Sequence, residues 1–452
     1  MLPSNRLALL SGPYDRSPNV RNIVTITSIS LIALAFALWA IKPVGDPILT
    51  AVAYGAFSLG SVFAILFRGP RIERRIGILF VITLGVAAIW GMYGLLRGNA
   101  GAGSELVFFL VLPIVWLVGA AGTSLGSVRI LIAILPFVAL LIGVLGSLYY
   151  LQQVGVPGLG WVTVFPLGQG AGLPGDRDYG FVLTFFPLAS LTFLVPFVLV
   201  SLFVPGTFIW KASRIVAWPA LLAMLFLLFV SGRRALFFSF ALAVVAVFFL
   251  LFLGPSERRT RRRFYVVAAA TTVAVLLITS VSHFSFGAMI ASVFEDLNSP
   301  DSPRAKSGQA LLGSLGQSPV FGHGLGATVG GAIRDKAHPW NFELQYHLML
   351  NVFGSVGFLV IALATAALVT IGVLAYRRNR ANSAFLAPII AGTIATLIAN
   401  ASNPYLHTPG QYWMFYILVV AVNAVLAYSP ILKMAQTNDI APEAEGDTSD
   451  DR

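Results

Sequence analysis

The sequence contains no cysteine, and only 10% of its residues are charged. Without thiols the chain has no disulfide, no thiolate nucleophile and no thiolate metal ligand. Motifs of two well-known enzyme classes are also missing: a glycine-rich phosphate loop with lysine and H-E-x-x-H. The residues that an ATPase or a zinc protease would need are therefore not there.

Apolar residues fill the chain instead. With 57% hydrophobic residues and a mean hydropathy of +0.85, the 452 residues offer more apolar surface than one water-soluble core could hide. A spanning helix needs about 20 mainly apolar residues, and the runs are too long and uniform for barrel strands. We expect an all-α polytopic membrane protein with about twelve transmembrane helices. They are predicted at 23–41, 47–67, 76–96, 105–121, 129–151, 181–204, 214–230, 235–254, 264–282, 348–376, 384–400 and 412–429.

Basic residues orient these helices, because short loops rich in Lys and Arg stay in the cytoplasm. With both termini inside, the cytoplasmic segments hold 20 of the 29 Lys and Arg residues. The pattern predicts a cytoplasmic segment at 1–22, a transmembrane domain at 23–430 and an acidic, disordered cytoplasmic tail at 431–452. Since the charges lie at the ends of apolar helices, they indicate contact with lipid headgroups, and we expect no nucleic-acid partner.

The opposite face collects the polar residues. It carries two long loops, 152–180 and 283–347, and loops of this length are usually functional or disordered. The larger loop mixes short apolar stretches with Pro, Trp and Gly, which predicts short amphipathic helices on the membrane surface.

Arginines suggest an anion site on that face. Arg233 and Arg234, in SGRRA, begin an apolar run at the outer membrane edge, and Arg304 lies in the large loop. A tight turn with solvated arginines is the alternative. Guanidinium groups match phosphate oxygens at two points, so three converging cations would suit a diphosphate.

The order of motifs resembles a known family. SGRR at a helix start is followed, after a further span, by a long outer loop with an Arg, then SPVFGHGLG, then a returning helix, ELQYHLMLNVFGSVGF. This order is similar to the O-antigen ligase and O-antigen polymerase superfamily, by motif over about residues 230–360 and by architecture over the whole chain.

The resemblance implies an inverting glycosyltransferase in the bacterial inner membrane, with its active site on the periplasmic face. Its donor would be an undecaprenyl-diphosphate-linked oligosaccharide and its acceptor a glycan or lipid, in O-antigen, exopolysaccharide or lipopolysaccharide biosynthesis. Membrane lipids and chain-length or export proteins are candidate partners. No cofactor or metal is expected. Asp176 and Asp178 form a D-x-D, but a loop salt bridge or an acceptor contact is the preferred interpretation.

The resemblance also assigns residues. It places the donor diphosphate on Arg233 or Arg234 and on Arg304. Eleven residues before Gly354, where ligases carry a His-Asn pair, this sequence has Glu343, which favours a polymerase-like member over a lipid A-core ligase. Glu343 could act as the general base, or it could be an acid that complements the helix dipole. His347, four residues on and so on the same helical face, is a second base candidate or only a local hydrogen-bond partner.

Four further residues are candidate acceptor or loop contacts, namely His323, His338, Trp340 and Arg177. For His323, which lies between glycines, we favour a turn residue that shapes the loop. The rival function is a transporter or flippase of lipid-linked glycans. A transporter would place charged or helix-breaking residues at mid-bilayer in paired segments, whereas these spans are nearly free of internal charge.

Overall fold

The computed structural model describes residues 18–41, 47–153, 155–163, 172–177, 180–185, 188–231, 234–252, 303–330, 338–401 and 403–438, together with Tyr265 and Ala269. Its main elements are α1 (Pro18–Ile41), α2 (Pro47–Arg68), α3 (Arg74–Leu96), α4 (Ala102–Gly122), α5 (Leu125–Gln153), β1 (Gly172–Arg177), β2 (Gly180–Phe185), α6 (Leu188–Phe203), α7 (Lys211–Val230), α8 (Arg234–Phe252), α9 (Pro303–Leu315), α10 (Gln345–Arg378), α11 (Leu386–Ala399) and α12 (Trp413–Asn438). Single turns lie at Gly160–Thr163, Arg380–Ser383, Tyr405–His407 and Pro409–Gln411.

Long apolar helices dominate the described residues, as the sequence predicts. Seven of them are long and apolar enough to cross a membrane: α1 from Asn22 onwards, α2, α3, α4, α5, α7 and α10. Three shorter apolar helices are α6, α11 and the Trp413–Tyr428 part of α12. The predicted span at 264–282 lies outside the described residues, apart from Tyr265 and Ala269. The total of twelve spans and the side that each loop faces therefore stay predictions.

A small antiparallel hairpin interrupts the helices. In it Gly172 lies opposite Phe185 and Arg177 opposite Gly180. The segment is rich in glycine and carries a proline, both of which favour turns and loops over helix. Because the hairpin reaches Phe185, α6 begins at Leu188, later than the predicted start of that span at 181.

The two helices at the ends of the described part extend beyond the predicted spans at 23–41 and 412–429. Helix α1 begins at Pro18, inside the segment assigned to the cytoplasm, and proline is well suited to the first position of a helix. Helix α12 continues to Asn438, past the predicted start of the acidic tail at 431. Residues 1–17 and 439–452 lie outside the described residues.

The bundle has two chemically different ends. At the first, which we call the basic end, Arg68 Nη2 donates to Gly122 O (3.3 Å) and Arg129 Nη2 donates to Asn382 O (3.0 Å). One bond ties the start of RGPRIERR (68–75), and the other ties the turn after RRNR (377–380), to the connection between α4 and α5. The opposite end, which we call the polar end, carries the connections 97–105, 303–330, 338–345 and 400–412.

An aromatic core holds α4 against its neighbours. The ring of Trp116 lies 4.6 Å from that of Phe57 and 5.0 Å from that of Trp39, and it stacks on Tyr416 at 5.3 Å. Aromatic pairs at such distances stabilise beyond the area they bury. The core thereby fixes the start of α12, and with it residues 400–412, beside α4 at the polar end.

Candidate functional site

Helix α10 is kinked at Gly354, and a loop fills the kink. Gly354 has φ +63° and ψ −175° within an otherwise helical run. Ser355 N donates to Pro319 O (2.9 Å), and His323 N donates to Asn351 O (2.9 Å). Backbone groups freed at a kink must find other partners, and here SPVFGHGLG (318–326) supplies them. We call this segment, together with the kink, the glycine clamp.

The other side of the clamp binds the end of α3. Trp90 Nε1 donates to Phe321 O (2.7 Å), and Asn99 Nδ2 donates to the carbonyl oxygens of His323 (2.9 Å) and Leu325 (3.0 Å). Gly326 O accepts from Gly101 N (3.2 Å). The clamp therefore joins α3, the α3–α4 turn and α10 into one unit.

Two glycines are needed because backbones touch there. A Cβ on Gly326 would lie 2.0 Å from the carbonyl carbon of Gly101, and one on Gly354 would lie 2.3 Å from Val320 O. Both residues also have positive φ, at +71° and +63°, which side chains disfavour. The glycine signature noted in the sequence thus has a packing reason in this protein.

His323 belongs to the architecture of the clamp. Its Nε2 lies 2.9 Å from Ser314 O near the end of α9, while Ser318 Oγ donates to Gly322 O (2.7 Å). The bond ties α9 to the loop that follows it. This placement fits the interpretation of His323 as a residue that shapes the loop.

Two predicted site residues form a pair. Arg304, at the start of α9, donates from Nε to Glu343 Oε2 at 2.9 Å, and their side chains are 43% and 28% exposed. Asn351 Nδ2 donates to Leu311 O (3.1 Å), which holds α9 along the first turns of α10. The structure therefore unites a residue assigned to the donor with one assigned to catalysis.

The structure also places His347, Trp340 and His338, three further residues of the predicted site. Glu343 lies two residues before α10 begins at Gln345, so it does not share a helical face with His347, contrary to expectation. The Leu344 backbone (φ −87°, ψ 83°) is not helical, which breaks the expected spacing. A Cβ on Gly101 would lie 2.4 Å from Trp340 Cδ2, so Trp340 packs on that backbone, and His338 meets Trp340 edge-on at 5.6 Å.

Three predicted arginines lie outside this pair. Arg233 lies outside the described residues, Arg234 is the first residue of α8, and Arg177 is the last residue of β1. Convergence of these arginines with Arg304 stays a prediction. Among the described residues no group of three or more His, Asp or Glu side chains is placed to hold a metal ion.

A buried pair that the sequence interpretation missed lies at the polar end. His407 Nε2 is 2.9 Å from both carboxylate oxygens of Glu105, and each side chain is only 4% exposed. The imidazole lies over Phe108 with ring centroids 5.0 Å apart. Glu105 lies two residues before a π-helical segment, Val107–Val111, a local geometry often found at functional sites. Two features of the sequence could have indicated this pair: Glu105 is a carboxylate in an apolar run, and His407 lies between two apolar helices.

An apolar cavity of about 620 Å³ lies between α3, α4, α10 and α12. Gln345, Tyr346 and Asn400 line it toward the polar end, and Phe108 and Tyr412 bring it next to the Glu105–His407 pair. From there it follows α10 as far as Thr370. The cavity therefore begins two residues after Glu343 in sequence and runs along the membrane-spanning part of α10.

No family model matches the chain, and no curated protein matches it.

Proposed function

We propose that the protein is a membrane glycosyltransferase that uses a polyprenyl-diphosphate-linked oligosaccharide as its donor. One observation carries the proposal: the partly exposed Arg304–Glu343 pair includes Glu343, two residues before the helix whose first turns line an apolar cavity. An anionic head with a long apolar tail fits that arrangement. Volumes of about 300–1,000 Å³ are usual for ligand pockets.

Arg304 would bind the donor diphosphate. Its Nε is bonded to Glu343, and a guanidinium has two further nitrogens, Nη1 and Nη2, that match phosphate oxygens. With 43% of the side chain exposed, the group is open to a ligand. An arriving diphosphate shares the guanidinium with Glu343, so donor binding would weaken the Arg304–Glu343 bond.

Glu343 would then act as the base. The acceptor hydroxyl attacks the anomeric carbon, the bond from that carbon to the diphosphate oxygen breaks, and the hydroxyl proton passes to the Glu343 carboxylate. A single displacement inverts the anomeric configuration. Arg304 stabilises the negative charge that develops on the leaving diphosphate, which is usually the largest protein contribution to such a step.

Polymerisation is preferred over ligation to a lipid A-core. The proposal rests on Glu343, which stands where the resemblance expects the His-Asn pair of ligases. Bacterial inner-membrane location, cytoplasmic termini and a periplasmic site belong to the same proposal. The described helices support a membrane-embedded protein.

Transfer with purified protein tests the function. Wild-type protein should elongate glycan from a polyprenyl-diphosphate-linked repeat, whereas Glu343→Gln should lower the rate by about 10²–10⁴ and keep donor binding. Arg304→Ala should lose donor binding. Wild-type turnover by Glu343→Gln would remove that residue from the mechanism. Movement of the donor across vesicles without elongation would instead support the transporter.

A further inference from the structure

The glycine clamp exposes an apolar patch. Phe321 is 59% exposed, Val320 46% and Leu312, on the neighbouring α9, 50%. Phe321 and Val320 belong to a loop that is otherwise tied by its backbone to α3 and α10. Such exposure of large apolar side chains next to each other indicates an interaction surface.

The depth of this patch follows from its hydrogen bonds. Phe321 O accepts from the Trp90 side chain, and Trp90 lies six residues before Leu96, the last residue of α3. At a rise of about 1.5 Å per residue, the Trp90 backbone lies about 9 Å below the end of that helix, and the Phe321 carbonyl is within one side-chain length of it. Val320 O accepts from Val356 N (3.2 Å), which lies eleven residues into α10. From the end of α9 the loop therefore runs toward the middle of the bundle. It then turns back toward the polar end, where Gly326 meets Gly101.

Neighbouring helix surfaces at this depth are apolar and exposed as well. On α10 these are Val356 (42%) and Leu359 (57%), and on α3 they are Ile89 (64%) and Met92 (57%). Both helices have the length and composition of membrane spans. The Val320–Val356 bond makes the patch continuous with that surface.

We propose that residues 320–321 of the glycine clamp dip into the bilayer and contact lipid hydrocarbon, with Leu312 of α9 beside them. Non-helical backbone is tolerated at membrane depth only where its polar groups are satisfied by protein, and the carbonyls of Val320 and Phe321 accept from Val356 N and Trp90 Nε1. The patch fits lipid chains because its flanks are lipid-facing helices.

This immersion has a consequence for the site. Helix α9 carries Arg304, the partner of Glu343, in its first turn. Near its other end it is tied to the clamp by the bond between Ser314 O and His323 Nε2. The partly exposed ion pair is thereby held at the level of the membrane surface. A lipid-linked ligand could reach it without leaving the bilayer, and this holds whether or not the protein transfers sugars.

Single-cysteine spin labelling tests the proposal, because the chain has no cysteine of its own. Nitroxide labels would be placed at Phe321→Cys, Val320→Cys and Leu312→Cys in full-length protein in phosphatidylcholine nanodiscs. Leu359→Cys provides a lipid-facing reference. Ala100→Cys, exposed in the α3–α4 turn, provides a water-facing one. Collision with oxygen and with a water-soluble nickel chelate would be measured by paramagnetic resonance.

We expect Phe321 and Val320 labels to resemble Leu359, with high oxygen and low nickel accessibility. The nickel accessibility of the label at Leu312 should equal that at Leu359 or lie between the values at Leu359 and Ala100. Nickel accessibility at Phe321 and Val320 equal to that at Ala100 would overturn the proposal. So would low accessibility to both reagents, since that result means burial against protein. Two loop positions keep the test decisive if one variant fails to fold.

Discussion

His407 Nε2 lies 2.9 Å from each carboxylate oxygen of Glu105, although 302 residues separate them in sequence. The geometry fits an imidazole N–H that points between the two oxygens of one carboxylate. With 4% exposure on both sides, neither group can turn to water. The pair joins the start of α4 to the connection before α12, beside the apolar cavity.

The first prediction concerns this pair. Replacing one partner leaves the other buried without its bond, which typically costs about 3–5 kcal/mol. We therefore expect Glu105→Leu and His407→Leu each to lower thermal stability in detergent strongly. The double variant should lose less than the sum of the two, since neither group is then left alone. Strictly additive losses would show that the contact is not a coupled pair.

A second prediction concerns the glycine clamp. Gly326→Ala and Gly354→Ala should each destabilise by more than about 1 kcal/mol, because positive φ and backbone contact leave no room for a methyl group. The matched control is Gly313→Ala in α9, where a Cβ would meet nothing within 4 Å. That change should be neutral or stabilise by about 0.5–1 kcal/mol. Thermal unfolding followed by loss of monodisperse protein measures all three.

A third prediction separates function from stability at Arg304. A partly exposed ion pair contributes about 0–1 kcal/mol, so Arg304→Lys and Arg304→Ala should unfold close to wild type. Donor binding should fall for both, since lysine keeps the charge and loses the planar two-point contact. Arg75→Lys is the control, because Arg75 pairs with Glu73 at 3.6 Å at the basic end. Near-normal binding by Arg304→Lys would show that only charge matters.

The fourth prediction concerns sidedness. Cysteine at Ala100 in the polar-end turn should react with an impermeant thiol reagent in intact cells, whereas cysteine at exposed Arg378 should react only after lysis. The basis is the bias of Lys and Arg toward the cytoplasm. The reverse pattern would invert the orientation and place the Arg304–Glu343 pair inside the cell.

Much of the helical architecture could be predicted from sequence, because each spanning helix is a local run of apolar residues whose length is set by the bilayer. Boundaries failed where local chemistry changed, as at the hairpin before Leu188. The grouping of RGPRIERR with RRNR at one end also followed from the charge pattern.

The site was predictable only in part. Arg304 and Glu343 were chosen separately, and their contact could not be read from sequence because it depends on how α9 lies along α10. The His347 spacing argument failed since α10 begins after Glu343. Glu105 and His407 were passed over because each looked like an isolated residue, and only the folded chain places them together.

The long sequence separation within the glycine clamp also bears on biogenesis. Asn99 bonds to Leu325 O across 226 residues, and the clamp further requires the kink at Gly354. The side-chain amide of Asn99 and the carbonyl of Trp90, which accepts from Leu325 N (3.1 Å), therefore leave the ribosome long before their partners exist. Such non-local contacts form late. Completion of the polar end must await synthesis and insertion of α10, so a nascent chain that stops short of this helix would expose unpaired backbone to the quality-control proteases of the cell.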